Sequence, residues 1–366
     1  MNRVPPAAPV RPPVPFRYTP RSRRSQMALL WRAPGRRARN QIVGWGMQDF
    51  LVKLGFLLAF LPFFYGACAL VQLTVIKPKT RYVVIGSFMT FAVLIGLIGL
   101  LSLAAPEIQD PRSGRLMLVV AAVTFVPMFK AARLLLSKIT PIDPNSTVDI
   151  SGIIVASWLI VIFGATLYAV DLTALAEQAK ITVADSIITV IAYPLLALSL
   201  VGIWITRGPR ESIKRLGLER VSARQIGISL GMVVPLLIAG VALDALGRWA
   251  QPQLYEQLQG ILKAMSSNVT NPGVALILGA SAGIGEEILF RGAIQPRLGI
   301  ALTAILFALA HTQYGASYAV LGVFLIGIVL GYQRRSMNTT SAIITHGAYN
   351  VVAFLLAYYA RVGTGG

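Results

Sequence analysis

Ten apolar runs, at about 54–76, 82–105, 115–137, 151–170, 184–206, 225–245, 272–295, 299–314, 316–333 and 338–360, alternate with short polar connections along the chain. Most approach the ~20 residues that a helix needs to cross a bilayer core of about 30 Å. Backbone groups in hydrocarbon must be satisfied within the chain, so runs of this kind are helices. The pattern predicts an all-α polytopic membrane protein with about 8–9 transmembrane helices. The run at 299–314 is short for a full crossing. Residues 249–265 differ from the rest: Leu254, Leu258, Ile261, Leu262 and Met265 recur at helical spacing between polar positions such as Gln257 and Lys263. That pattern predicts an amphipathic helix lying on the outer interface.

Charge refines this picture. The formal net charge is +19, and much of it sits in an N-terminal segment and in loops flanking apolar runs, as expected when basic residues hold loops on the cytosolic side. No stacking aromatics or nucleic-acid-binding signature accompany the charge, so the expected partner is the lipid bilayer and no nucleic acid. Residues 1–40 carry ten arginines, eight prolines and no acid, a composition that cannot bury a core. We therefore read 1–50 as a disordered, basic Pro/Arg-rich cytosolic tail, 51–224 as N-terminal transmembrane helices ending in a basic loop, and 225–360 as a C-terminal helix bundle. The tail and the loop 207–224, with Arg207, Arg210, Lys214, Arg215, Arg220 and Arg224, both belong on the cytosolic face. That requires an even number of crossings between them, yet five runs intervene. The run at 115–137, which contains Pro127, Lys130 and Arg133, is expected to re-enter or lie at the interface. The single cysteine, Cys68, provides no disulfide framework and no Cys-based metal site.

Against the apolar background one stretch stands out. Residues 279–291 place Glu286, Glu287 and Arg291 within six positions of a run that otherwise reads as a membrane span. Each such charge costs roughly 2.5–3.5 kcal/mol at the bilayer centre, so these groups should face the protein interior. Glu287 and Arg291 are four apart and can pair on one helix face. Glu286 is rotated by about 100° and is left freer for chemistry. Gly279 and Gly283, spaced GxxxG, would let another helix backbone approach closely.

The two histidines, His311 and His346, lie in the same C-terminal third, with Phe307 four residues before the first and Asn350 four after the second. Counting rises from the expected cytosolic ends puts Glu286 about 16 Å, His311 about 20 Å and His346 about 12 Å into the membrane. They share one layer. A carboxylate and an imidazole can hold and deprotonate a water. An imidazole and an amide can donate to a tetrahedral oxyanion.

The three motifs, Glu286-Glu287-Ile288-Leu289-Phe290-Arg291, Phe307 to His311, and His346 to Asn350, resemble in order and spacing those of the CPBP intramembrane proteases. These are also called the CAAX protease or Abi family and include the Ras-converting CAAX endopeptidase. The resemblance covers roughly residues 270–352. It implies a hydrolase in which Glu286 and His311 activate water, His346 and Asn350 form the oxyanion site, and Glu287, Arg291 and Phe307 support them. It also implies a membrane-associated peptide or protein substrate and a multi-pass location, for which the cell membrane is expected. No cofactor is expected. A zinc-dependent, metalloprotease-like variant using the same His and Glu side chains stays open, as does a non-catalytic role in bacteriocin immunity or partner binding.

Overall fold

The computed structural model describes residues 36–105 and 111–363, with side chains from residue 50 onward except at 177 and 178. The described residues are helical throughout their regular structure. Eight helices are long and apolar enough to cross a membrane, or up to nine if the bent pair is counted as one more span. The chain is an integral membrane protein of the all-α polytopic class. The first helix, α1, begins at Arg36 and runs to Ile76. Residues 36–50 of the expected tail are thus helical, which their sequence permits because Pro34 is the last proline before Pro62. Residues 1–35 lie outside the described residues.

After α1 come α2 (Arg81–Ala104), α3 (Pro111–Phe125) and α4 (Lys130–Leu136). The run that the charge argument singled out is broken: the pair Pro111–Met128 and Lys130–Leu136 bends by 84°. A break strands backbone carbonyls, which are costly to leave unpaired. Arg133 supplies the missing donors, giving Nη1 to the carbonyls of Pro127 and Met128 at 2.8 Å each and Nε to that of Pro144 at 2.7 Å. Four full-length candidate spans, 50–76, 78–104, 147–169 and 183–201, remain between the N-terminal segment and the basic loop. With the bent pair left uncounted, that is the even number the charge argument asks for.

The helices α5 (Thr147–Ala169), α6 (Leu172–Gln178), α7 (Val183–Val201) and α8 (Pro209–Arg215) lead to α9 (Ala223–Gly231) and α10 (Val233–Ala250). The amphipathic helix is α11, Pro252–Ser266. On its apolar face Leu258 and Ile261 are fully buried and pack with Leu172 and, at the margin, Tyr314 and Tyr318, while Leu262 stays exposed.

The C-terminal bundle consists of α12 (Pro272–Glu287), a π-helical turn (Ile288–Ile294), α13 (Gln295–Leu309), α14 (Tyr318–Ser336) and α15 (Thr339–Gly363). The segment Pro272–Leu309 is not one long span. Gly299 has φ 80°, ψ 173°, a conformation that side chains resist. The chain doubles back there, as the 5.1 Å contact between the rings of Phe290 and Phe307 shows. In a continuous helix those rings would stand about 25 Å apart.

Close packing then fixes α15 on α12. A Cβ at Gly283 would stand 2.5 Å from the amide nitrogen of Gly347, and one at Gly279 would stand 2.5 Å from that of Val351. Only glycine permits this approach at both levels. The helix held so closely is the one that bears His346 and Asn350.

Candidate active site

The expected pairing of Glu287 with Arg291 is present. Arg291 Nε lies 3.2 Å from Glu287 Oε2, and both side chains are fully buried. The other carboxylate oxygen, Glu287 Oε1, meets His346 Nδ1 at 2.8 Å. One buried carboxylate therefore joins the arginine of the π-helical segment to the histidine of α15.

Such a turn widens the helix and exposes carbonyls to outside donors. Arg334 Nε donates to the carbonyl of Arg291 at 3.2 Å and Arg215 Nη1 to that of Gly292 at 3.2 Å. Gln295 Nε2 donates to the carbonyl of Gly331 at 2.9 Å, tying the same segment to α14.

Phe307 is the hub about which the polar groups are arranged. It is buried on α13, its ring centroid 4.8 Å from that of His311 and 5.9 Å from that of His346. The guanidinium of Arg291 sits 4.4 Å from the same ring. Its shape separates the two imidazoles, while its face accommodates the buried cation.

His311 is not inside a helix, although the apolar run had placed it in one. It follows the end of α13 and leads into a single 3-10 turn, Thr312–Tyr314. Its Nδ1 lies 2.7 Å from the carbonyl of Phe307. A carbonyl only accepts, so Nδ1 carries the hydrogen and, in the neutral ring, Nε2 carries the lone pair. That Nε2 faces Glu286 Oε2 at 4.0 Å, with both side chains about one-fifth exposed. The separation is too long for a direct hydrogen bond. It suits a bridging water.

Six of the seven residues marked in the sequence are thereby brought together: Glu286, Glu287, Arg291, Phe307, His311 and His346. Asn350 lies one turn beyond His346 on α15, half-buried, and makes no hydrogen bond among the described residues. Tyr314 was missed by the sequence reading. Its ring is parallel to that of His311 within 13° at 6.0 Å. Its position three residues after the histidine was the available signal, but nothing in the pattern distinguished it from other aromatics. Tyr314 and Tyr349 also line a cavity of about 260 Å³ between α10, α11, α14 and α15, otherwise mostly apolar, with Asp244 in its wall.

Among the described residues, no group of three His, Cys, Asp or Glu side chains is arranged to hold a metal ion. The imidazole of His346 is turned to Glu287, and that of His311 to Glu286.

Residues 268–352 match the family described as Type II CAAX prenyl endopeptidase Rce1-like. The matched segment begins just before α12, ends within α15 and contains every residue of the cluster. The Rce1-like match supports the CAAX protease resemblance drawn from the three motifs and, at the level of the family, an intramembrane CAAX-type protease. No curated protein and no solved structure matches the chain.

Proposed function

We propose that the protein is an intramembrane endopeptidase that hydrolyses a peptide bond of a membrane-associated substrate with a water held between Glu286 and His311. The observation that carries this reading is the 4.0 Å gap between Glu286 Oε2 and His311 Nε2. A water there donates one hydrogen to the carboxylate and one to the imidazole lone pair. Its own lone pairs are left for a substrate carbonyl carbon.

The steps balance without a protein nucleophile. The water oxygen bonds to the carbonyl carbon as Glu286 takes a proton, and the carbonyl becomes an oxyanion. His346, held through Nδ1 by Glu287, has Nε2 left for that oxyanion and donates when both ring nitrogens carry hydrogen. The Asn350 amide, about 6 Å further along the helix, is the second donor. The proton on Glu286 passes to the departing amine as the C–N bond breaks. A carboxylic acid and an amine result.

The family match makes prenylated proteins ending in a CAAX motif the first substrate class to test. The cavity beside Tyr314 and Tyr349 offers mostly apolar walls to a membrane-borne chain. N- and C-terminal proteomics on cells carrying the wild type or Glu286→Ala at equal expression tests the reading and names the substrate. Termini that disappear with Glu286→Ala and with His311→Ala are expected. Identical termini in all three strains would overturn catalysis and leave a binding or immunity role. Zinc quantification on the purified protein tests the metal-free mechanism: stoichiometric zinc lost in His311→Ala would replace it.

A further inference from the structure

A shallow depression of about 490 Å³, wide open to the surface, lies away from the cluster and is lined by Glu211, Lys214, Arg215, Pro296 and Arg334. These residues come from α8, the start of α13 and the end of α14. Three cations and one carboxylate face the space, and the carboxylate is engaged. Glu211 Oε2 accepts the Gly208 amide at 3.0 Å and caps α8. Lys214 makes no hydrogen bond or ion pair among the described residues. Arg215 and Arg334 each use one donor on the π-helical segment, and both line the depression.

Like charges are packed here at a cost that an anion would relieve. Burial, then the neighbouring Arg297, Arg207 and Arg334, pull the Arg215 guanidinium down to about 10. Arg297 already has a partner in Asp149. The depression sits where α8, the Gly299 turn and the end of α14 meet, at the ends of the spans. That is the level of lipid phosphates.

We propose that this depression binds a phosphate anion, with Lys214, Arg215 and Arg334 as its cationic ligands. Planar guanidinium forks pair with phosphate oxygens, and a mobile ammonium completes the set. The site is separate from hydrolysis. It touches the cluster through the two arginines that also hold the carbonyls of Arg291 and Gly292, so a bound anion would pin the π-helical segment.

The test is thermal unfolding of the purified full-length protein in detergent at fixed ionic strength. It is run with phosphatidylcholine, with phosphatidylglycerol, or with inorganic phosphate replacing chloride. Wild type should gain stability with phosphatidylglycerol over phosphatidylcholine. A gain with inorganic phosphate as well identifies the phosphate group itself as sufficient, and its absence identifies a lipid headgroup. Lys214→Glu should weaken the apparent affinity about tenfold or more, given roughly 1 kcal/mol per basic residue near anionic lipid. Lys214→Gln should give a smaller loss in the same direction. Arg220→Glu, an equal charge change on the exposed loop, should behave as wild type. No stabilisation by either phosphate source, or an equal loss in Arg220→Glu, overturns the proposal.

Discussion

Two neighbouring carboxylates with opposite environments define the residue scale. Glu287 is fully buried and committed to Arg291 and His346. Glu286 is about one-fifth exposed, and its Oε2 has no hydrogen-bond partner. Substitution should separate the two. Glu287→Ala would leave Arg291 buried without its counter-charge, at a cost of about 3–5 kcal/mol. Denaturant titration of the purified variant should show this as a large loss of folded protein. Glu286→Gln should unfold like wild type while abolishing turnover. If Glu286→Gln proved as unstable as Glu287→Ala, the division between a reacting and a supporting carboxylate would fail. The choice of Glu286 as the freer carboxylate was legible from helix geometry alone, because Arg291 lies four residues from Glu287 and five from Glu286. His346 as the second partner of Glu287 was not legible, because it depends on how two helices 59 residues apart are set against each other.

At the scale of elements, glycines decide how close the helices come and where the chain turns. Gly283→Val would drive side-chain atoms into the backbone at Gly347. We expect α15 to shift, the Glu287–His346 contact to break and activity to be lost. Gly152→Ala on α5 meets nothing within 4 Å, so it should be tolerated and even stabilise its helix by up to about 1 kcal/mol. Thermal unfolding and turnover of the pair check both statements. Gly299→Ala should cost on the order of 1–3 kcal/mol, since φ 80° with ψ 173° is strained for any side chain. The GxxxG spacing announced a close helix contact. It did not say which helix, because spacing describes one surface and not its partner. Hydropathy divided the 272–314 region between residues 295 and 299, beside the reversal at Gly299, but it did not show the non-helical position of His311, an apolar-run residue to a sliding window.

For the whole molecule, the basic loop 207–224 and the basic end of α14 lie together. Thr339 donates its amide to the carbonyl of Gly217 at 3.0 Å, and Arg215 reaches Gly292, so the end of α8 and the residues after it, the π-helical turn and the start of α15 are adjacent. The positive-inside rule predicts that this face is the cytosolic one. Single cysteines at Arg220 and Arg335 in a Cys68→Ser background should therefore be labelled from the cytosolic side by a membrane-impermeant thiol reagent. A cysteine at Gln253, on exposed α11 surface, should be labelled from the other side. Labelling of Arg220 and Gln253 positions from one side would contradict the arrangement of spans, whereas labelling of all three from reversed sides would contradict only the orientation.

Class, span number, the broken segment at Pro127 to Arg133 and the residues of the cluster were determined by the sequence, because hydrophobic length, helical spacing and the cost of charge in lipid are local properties. The tertiary structure decided the rest. It set the sharing of Glu287 between Arg291 and His346, the water-sized gap between Glu286 and His311, the place of Phe307 between two imidazoles, and the basic depression under the π-helical turn. Each is a distance between groups far apart in the chain. Such distances are fixed only when the glycine-lined faces of α12 and α15 and the turn at Gly299 bring their helices together.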